Sequence, residues 1–188
     1  MTLAALLWTA VLLFPVSEIA LAAVKHSGAA SAQAEDRGSL RLLWVGIGVG
    51  VGCAVAAKWV PAGLPLLPGL VQALALVLLV AGLIIRWVAI FTLGRFFTVD
   101  VAIHADHQLV ERGLYRLVRH PSYTGLLLAF LGLGLSFANW LSLLLLLLPI
   151  GFAVRNRVLQ EERALLRALG APYAEYCART PRLIPRLF

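Results

Sequence analysis

Charge is what this sequence has least of. Only 13% of its 188 residues are Asp, Glu, Lys or Arg, against about a quarter in a soluble domain. That scarcity excludes a water-soluble fold. With 61% hydrophobic residues and a mean hydropathy of +0.91, such a fold would expose large apolar patches to water. Acidic residues are scarcer still, 9 against 16 Lys and Arg, for a net charge of +7. The arginines flank apolar segments, which is the pattern of membrane topology and anionic headgroups and not of nucleic-acid binding. Cysteine is almost absent. Cys53 lies in an apolar segment and Cys177 in the tail, so neither a disulfide framework nor a thiolate metal site is expected. Residues 1–17 contain no Lys or Arg. Ala20-Leu21-Ala22 resembles a cleavage site, but a signal peptide would lack its positive start, and a retained helix is expected. A soluble dinucleotide-binding domain is also missing. Gly46, Gly48, Gly50 and Gly52 have the wrong spacing for one and follow no strand. They read instead as small residues for close helix packing.

What is present is a series of apolar runs. A crossing needs about 20 residues, and the sequence predicts helices over about 3–24, 42–60, 66–94, 120–137 and 140–169. The fourth and fifth are split by Ala138-Asn139-Trp140, a turn suited to the membrane interface. The fifth continues past the apolar run until Gly170 and Pro172 stop it. The expectation is therefore an all-α integral membrane protein of about five transmembrane helices, forming one domain over 1–188. With five crossings, 15 of the 16 cations fall on one side, with Lys58 alone on the other. The positive-inside rule then puts the N-terminus outside and the C-terminus in the cytoplasm.

The polar chemistry collects between helices 3 and 4 and in the tail. Phe96-Phe97-Thr98-Val99 and Gln108-Leu109-Val110 are β-prone, compatible with a short hairpin on the membrane surface. His104, Asp106 and His107 between them suit a turn, and no cysteine or further histidine completes a ligand set, so no metal is expected. Pro121 is placed to open helix 4. Its free N–H groups, with Arg119 and His120, read either as an anion site or as an ordinary capped helix with snorkelling arginines. Arg157 and Glu161 lie four apart on one helix face, with Glu162 adjacent. The hairpin turn at 138–140 folds helix 5 back on helix 4, so residues near 120 and near 157–161 must meet at one membrane face. Glu18 and Arg86 stand inside apolar runs; Glu18 reads as a base or as a buried partner for an arginine.

Gly-x-Tyr-x-x-x-Arg-His-Pro-Ser-Tyr at 113–123, one helical hairpin, Arg157-x-x-x-Glu161-Glu162, Gly170 with Tyr173 and Tyr176, and Pro181 through Pro185 follow in order. Together they resemble the isoprenylcysteine carboxyl methyltransferase family over about residues 94–187. Asp36-x-Gly38-Ser39 is similar to bacterial members, implying a short bacterial-type protein of the inner membrane. The resemblance implies an integral membrane enzyme using S-adenosyl-L-methionine, with 94–187 as its catalytic half. It assigns His107, Gln108, Leu109, Val110, Tyr115, His120, Pro121, Ser122, Tyr123 and Glu161 to the cofactor. Arg157 is the substrate-facing residue, catalytic together with Glu161. Asp100 stands where eukaryotic members have a glutamine contact.

The implied acceptor is lipophilic, a prenylated or lipid molecule entering from the bilayer, with membrane lipids as the other partners and no nucleic acid or metal. A carboxylate acceptor with a pKa of ~4 needs no general base at neutral pH, and Arg157 can grip it with a two-pronged contact. Three other readings stay open at this stage: a lipid amine N-methyltransferase, with Glu18 or Glu162 as base; an NADPH-dependent membrane reductase; and a non-enzymatic membrane protein.

Overall fold

The computed structural model describes residues 2–24, 30–97 and 108–185, and for 24 and 30–37 the backbone alone. Six α-helices are described: α1 (Leu3–Val24), α2 (Ala30–Ala57), α3 (Pro68–Leu93), α4 (Pro121–Ser136), α5 (Trp140–Leu169) and α6 (Ala171–Arg179). No strand occurs among the described residues; Gly63 and Asn139 form an isolated antiparallel bridge. Four helices are long and apolar enough to cross a membrane, and α4 is a shorter apolar helix. This is a multi-pass membrane fold of the expected class.

Helix α2 begins twelve residues before the expected position 42. The span it contributes is Gly38–Ala57; the preceding turns are rich in alanine, glutamine and glutamate, good helix formers that apolarity alone does not reveal. Helix α3 opens on Pro68 and ends at Gly94, whose φ of +58° suits a residue without a Cβ. The β-prone reading fails at Phe96, which closes a single 3₁₀ turn, Gly94–Phe96. The rest of that hairpin falls largely on 98–107, outside the described residues. Gly170, with φ +60°, separates α5 from α6.

Two antiparallel zips organise the bundle. Along α3 and α4, a Cβ on Gly82 would lie 2.4 Å from the Ala129 backbone N, one on Gly125 2.6 Å from the Arg86 N, and one on Gly132 2.5 Å from the Leu79 N. Only glycine allows backbones this close. Along α2 and α5, Gly46 and Gly50 meet Pro149, Ala153 and Leu146 at 3.0–3.2 Å, while Gly48 and Gly52 meet nothing within 4 Å. Half of the glycine stripe of α2 is therefore a packing seam and half faces outward. Helices α4 and α5 are joined by the Ala138–Asn139 turn. Asn139 accepts from the Ser142 N–H at 3.0 Å and donates to the Ala57 and Val60 carbonyls, satisfying the end of α2 from across the bundle. Helix α1 packs on α3, and its Phe14 meets Phe130 of α4 edge-on at 4.9 Å.

Sixteen residues of α4 rise about 24 Å, short of the ~30 Å of hydrocarbon. By the register of the seam, Gly125 stands against Arg86, so Pro121 is about level with Ile90, near the end of α3. The segment 108–120, α6 and the tail cover this end of α4.

Candidate active site

The first turn of α4 carries three side chains held by three different partners. Ser122 accepts from Arg86 of α3: Nη1 reaches the Ser122 hydroxyl at 2.9 Å and its carbonyl at 3.3 Å. The Tyr123 hydroxyl accepts from Arg157 Nε of α5 at 2.8 Å. His120 Nε2 lies 3.3 Å from Glu162 Oε1 of α5. Pro121, at the first helical position, is buried, and its fixed φ starts the helix without needing a donor.

Glu162 is the electrostatic centre of this region. Its carboxylate faces Arg119 at 3.1 Å, His120 at 3.3 Å and Arg182 at 3.0 Å. It draws on the loop before α4, on α4 itself and on the tail, a network that sequence spacing could not assemble. Glu161, one residue before it, lies beside the Tyr123 and Tyr115 hydroxyls. The positive charge expected at the head of α4 is therefore already met by one carboxylate.

Arg157 is only 2% exposed. Besides Tyr123 it donates from Nη1 to the Ser39 hydroxyl at 2.8 Å, and Ser39 is itself fully buried in α2. The arginine turns inward between α2 and α4, and Glu161 shares the Tyr123 hydroxyl with it. In the sequence Ser39 stands only as part of the Asp36-x-Gly38-Ser39 pattern. Nothing in its neighbourhood along the chain signals a partner 118 positions away.

Gln108 is exposed and Leu109 and Val110 are half-buried on the approach to the site. His107, like Asp100 and His104, falls outside the described residues. Tyr115 sits in a single 3₁₀ turn, Gly113–Arg116, donating to the Ala89 carbonyl at 3.4 Å while its own carbonyl accepts from the Tyr176 hydroxyl at 2.6 Å. Burial pushes the phenols of Tyr115, Tyr173 and Tyr176 well up, with Glu161 adding to the effect at Tyr115. They remain neutral hydrogen-bonding groups and cannot act as bases near neutral pH. The tail closes over the α4 turn: Arg119 and His120 donate their backbone N–H groups to the Pro181 and Arg182 carbonyls, and the Thr124 hydroxyl donates to the Leu183 carbonyl at 2.7 Å. Arg119 Nη1 also donates to the Cys177 carbonyl.

Among the described residues, three buried side-chain polar atoms have no hydrogen-bond partner: Arg119 Nε, Gln160 Oε1 and the Tyr173 hydroxyl. Arg119 Nε is near Glu162 but its N–H is aimed elsewhere; Gln160 precedes Glu161; Tyr173 lies beside Glu161 and Glu162. Each such buried, unmet donor or acceptor is a group that a polar ligand could satisfy. A separate cleft of about 420 Å³ opens beside the end of α3, lined by Val88, Phe91, Thr92, Arg112 and Gly113.

The family model described as the isoprenylcysteine carboxyl methyltransferase family matches residues 74–167, half of the chain. Protein-S-isoprenylcysteine O-methyltransferase B of Arabidopsis thaliana is 34% identical over 112 residues, covering 58% of this chain and 57% of that protein. A probable protein-S-isoprenylcysteine O-methyltransferase of Oryza sativa subsp. indica is 34% identical over 117 residues, 61% of each chain. The chain thus spans about three fifths of the length of these plant relatives. A solved eukaryotic intramembrane Ras methyltransferase, isoprenylcysteine carboxyl methyltransferase, superposes with a TM-score of 0.60 at 24% identity, over 76% of this chain and 52% of that one. At that identity the likeness speaks for the fold.

Proposed function

The chain belongs to the isoprenylcysteine carboxyl methyltransferase family, and from that membership we propose that it transfers a methyl group from S-adenosyl-L-methionine to a lipophilic carboxylate at the membrane–cytoplasm interface. The observation that carries this reading is the convergence at the first turn of α4. His120 and Tyr123 meet Arg157, Glu161 and Glu162 of α5 there and Ser122 meets Arg86 of α3, inside the matched segment. The proposed catalytic unit is the half spanning 94–187.

The donor set suits this cofactor. Its methionyl end carries a carboxylate and an ammonium. Arg119, whose Nε is unmet, and the head of α4 suit the first, and Glu161 suits the second. Leu109, Val110, Tyr115 and Tyr123 offer surfaces for the adenine, and Pro121 and Ser122 shape the floor. His107 joins this set on the family resemblance alone. When bound, the cofactor supplies an electrophilic methyl group. The protein's own task is alignment and exclusion of water, and good alignment is worth about 7–11 kcal/mol. Closure of the tail over the α4 turn serves that exclusion. Arg157, already fixed by Ser39 and Tyr123, is oriented to orient an acceptor carboxylate in turn. The neutral tyrosines supply no base, in keeping with an acceptor that is already ionised.

Titration of S-adenosylmethionine, S-adenosylhomocysteine and NADPH into the detergent-solubilised protein tests the reading. Binding of the first two, with methyl transfer to a member of a panel of prenylated cysteine analogues and lipophilic acids, is expected. Binding of NADPH alone would replace the reading by a reductase.

A further inference from the structure

We propose that Glu18 of α1, acting through Arg86 of α3, is a positioning residue for the first turn of α4. The N-terminal helix, which lies wholly outside the family match, is on this view part of the site's machinery. The inference rests on the reading of that turn as the methyl-donor site.

Arg86 is 8% exposed inside an otherwise apolar helix. The sequence grouped it with the cations of the following loop, yet it turns into the bundle. One edge of its guanidinium grips Glu18: Nε to Oε1 at 2.5 Å and Nη2 to Oε2 at 2.6 Å. The remaining nitrogen, Nη1, bonds both the hydroxyl and the carbonyl of Ser122. A guanidinium is planar and rigid, so anchoring two nitrogens fixes the direction of the third. The carboxylate of α1 thereby sets where Arg86 aims on α4. Backbone packing prevents a compensating shift, since Gly125 sits so tightly against Arg86 that a Cβ there would come within 2.6 Å of its N. Ser122 lies between His120, which faces Glu162, and Tyr123, which faces Arg157. A tilt of that single turn misplaces both contacts.

A pair that only glued α1 to α3 would need no third contact. Arg86→Lys separates the two roles, because lysine keeps the charge opposite Glu18 but cannot hold Glu18 and Ser122 together. Three variants are compared with the wild type: Arg86→Lys, Glu18→Gln and the charge swap Glu18→Arg/Arg86→Glu. Each is read by thermal unfolding in detergent, by hydrogen exchange of the segment 119–126, and by S-adenosylhomocysteine affinity. Faster exchange of 119–126 and at least about tenfold weaker binding are expected in all three, the loss of a hydrogen bond to a charged group. Arg86→Lys and the swap should keep a near-native unfolding temperature. Unchanged exchange in folded Arg86→Lys and Glu18→Gln would overturn the relay, as would a swap that restores exchange and affinity along with stability. If exchange responds while the wild type binds no S-adenosylhomocysteine, the relay stands and the donor reading falls.

Discussion

At the residue scale, two neighbouring glutamates have been given different work by their directions. Glu162 holds Arg119, His120 and Arg182; Glu161 faces tyrosine hydroxyls and unmet polar atoms. Glu162→Gln removes the counter-charge of the cation cluster at a cost of about 1.5–3 kcal/mol, and should lower the unfolding temperature by roughly 3–12 °C. Glu161→Gln should leave unfolding nearly unchanged and weaken S-adenosylmethionine binding by about 1–3 kcal/mol. Calorimetry and titration on the same preparations check both; the opposite assignment would exchange the roles. Arg157→Lys tests the arginine. It keeps a charge near Ser39 but gives up the fork, so cofactor affinity should persist while transfer to a carboxylate falls at least about tenfold, ~1.4 kcal/mol of barrier. Full activity would remove fork geometry from the mechanism, and lost affinity would move Arg157 to the donor. The sequence brought out His120, Ser122, Tyr123, Arg157 and Glu161 because residue type and order survive without coordinates. Ser39, Arg182 and the hub role of Glu162 stayed hidden, since each depends on a contact across 20 to 118 positions.

At the scale of elements, four of the helices lie within two residues of where apolar runs and their stops put them. The turn at Asn139 and the stop at Gly170 were legible because they rest on local backbone chemistry. Packing partners were less so. The glycine stripe of α2 drew attention by its density, yet the tightest seam runs through Gly82, Gly125 and Gly132, which are unremarked among leucines. Composition tells how close a backbone can come, and only the register of two helices tells where it does. Gly82→Ala would drive a Cβ to 2.4 Å from the Ala129 N. Backbone cannot yield as a side chain does, so α3 and α4 must part, at about 1–3 kcal/mol. Gly48→Ala meets nothing within 4 Å and should be neutral or stabilising by up to ~1 kcal/mol, from helix propensity alone. Thermal unfolding of the two variants side by side measures the contrast. Equal effects would mean that the α3–α4 seam is looser than its geometry.

At the scale of the whole molecule, the contacts along the seams fix the sense of every spanning helix. Ascending positions of α3 meet descending positions of α4, and α2 and α5 run against each other in the same way. Phe14 and Glu18 of α1 meet Phe130 and the Ser122 level of α4 in descending order, so α1 runs with α3. The helices alternate, as five successive crossings require. The closing of the tail over the head of α4 could not be foreseen, because it depends on a contact across 59 positions. Alternation alone does not say which end is cytoplasmic; charge does. Arg112, Arg116, Arg119, Arg179 and Arg182 gather at the end of the molecule that holds the site, and Lys58 is alone among the described cations at the end stitched by Asn139. Positive loops stay on the cytoplasmic side during insertion, so the site and the C-terminus are expected in the cytoplasm. The 58–64 turn should face the opposite compartment. A reporter active only in the cytoplasm, fused after residue 64 or after the C-terminus, should be silent in the first and active in the second, and an exported reporter should give the reverse. Equal signals from the two fusions would sink the topology. Reversed signals would keep the alternation and place the proposed donor site outside the cytoplasm, where S-adenosylmethionine would have to be delivered across the membrane.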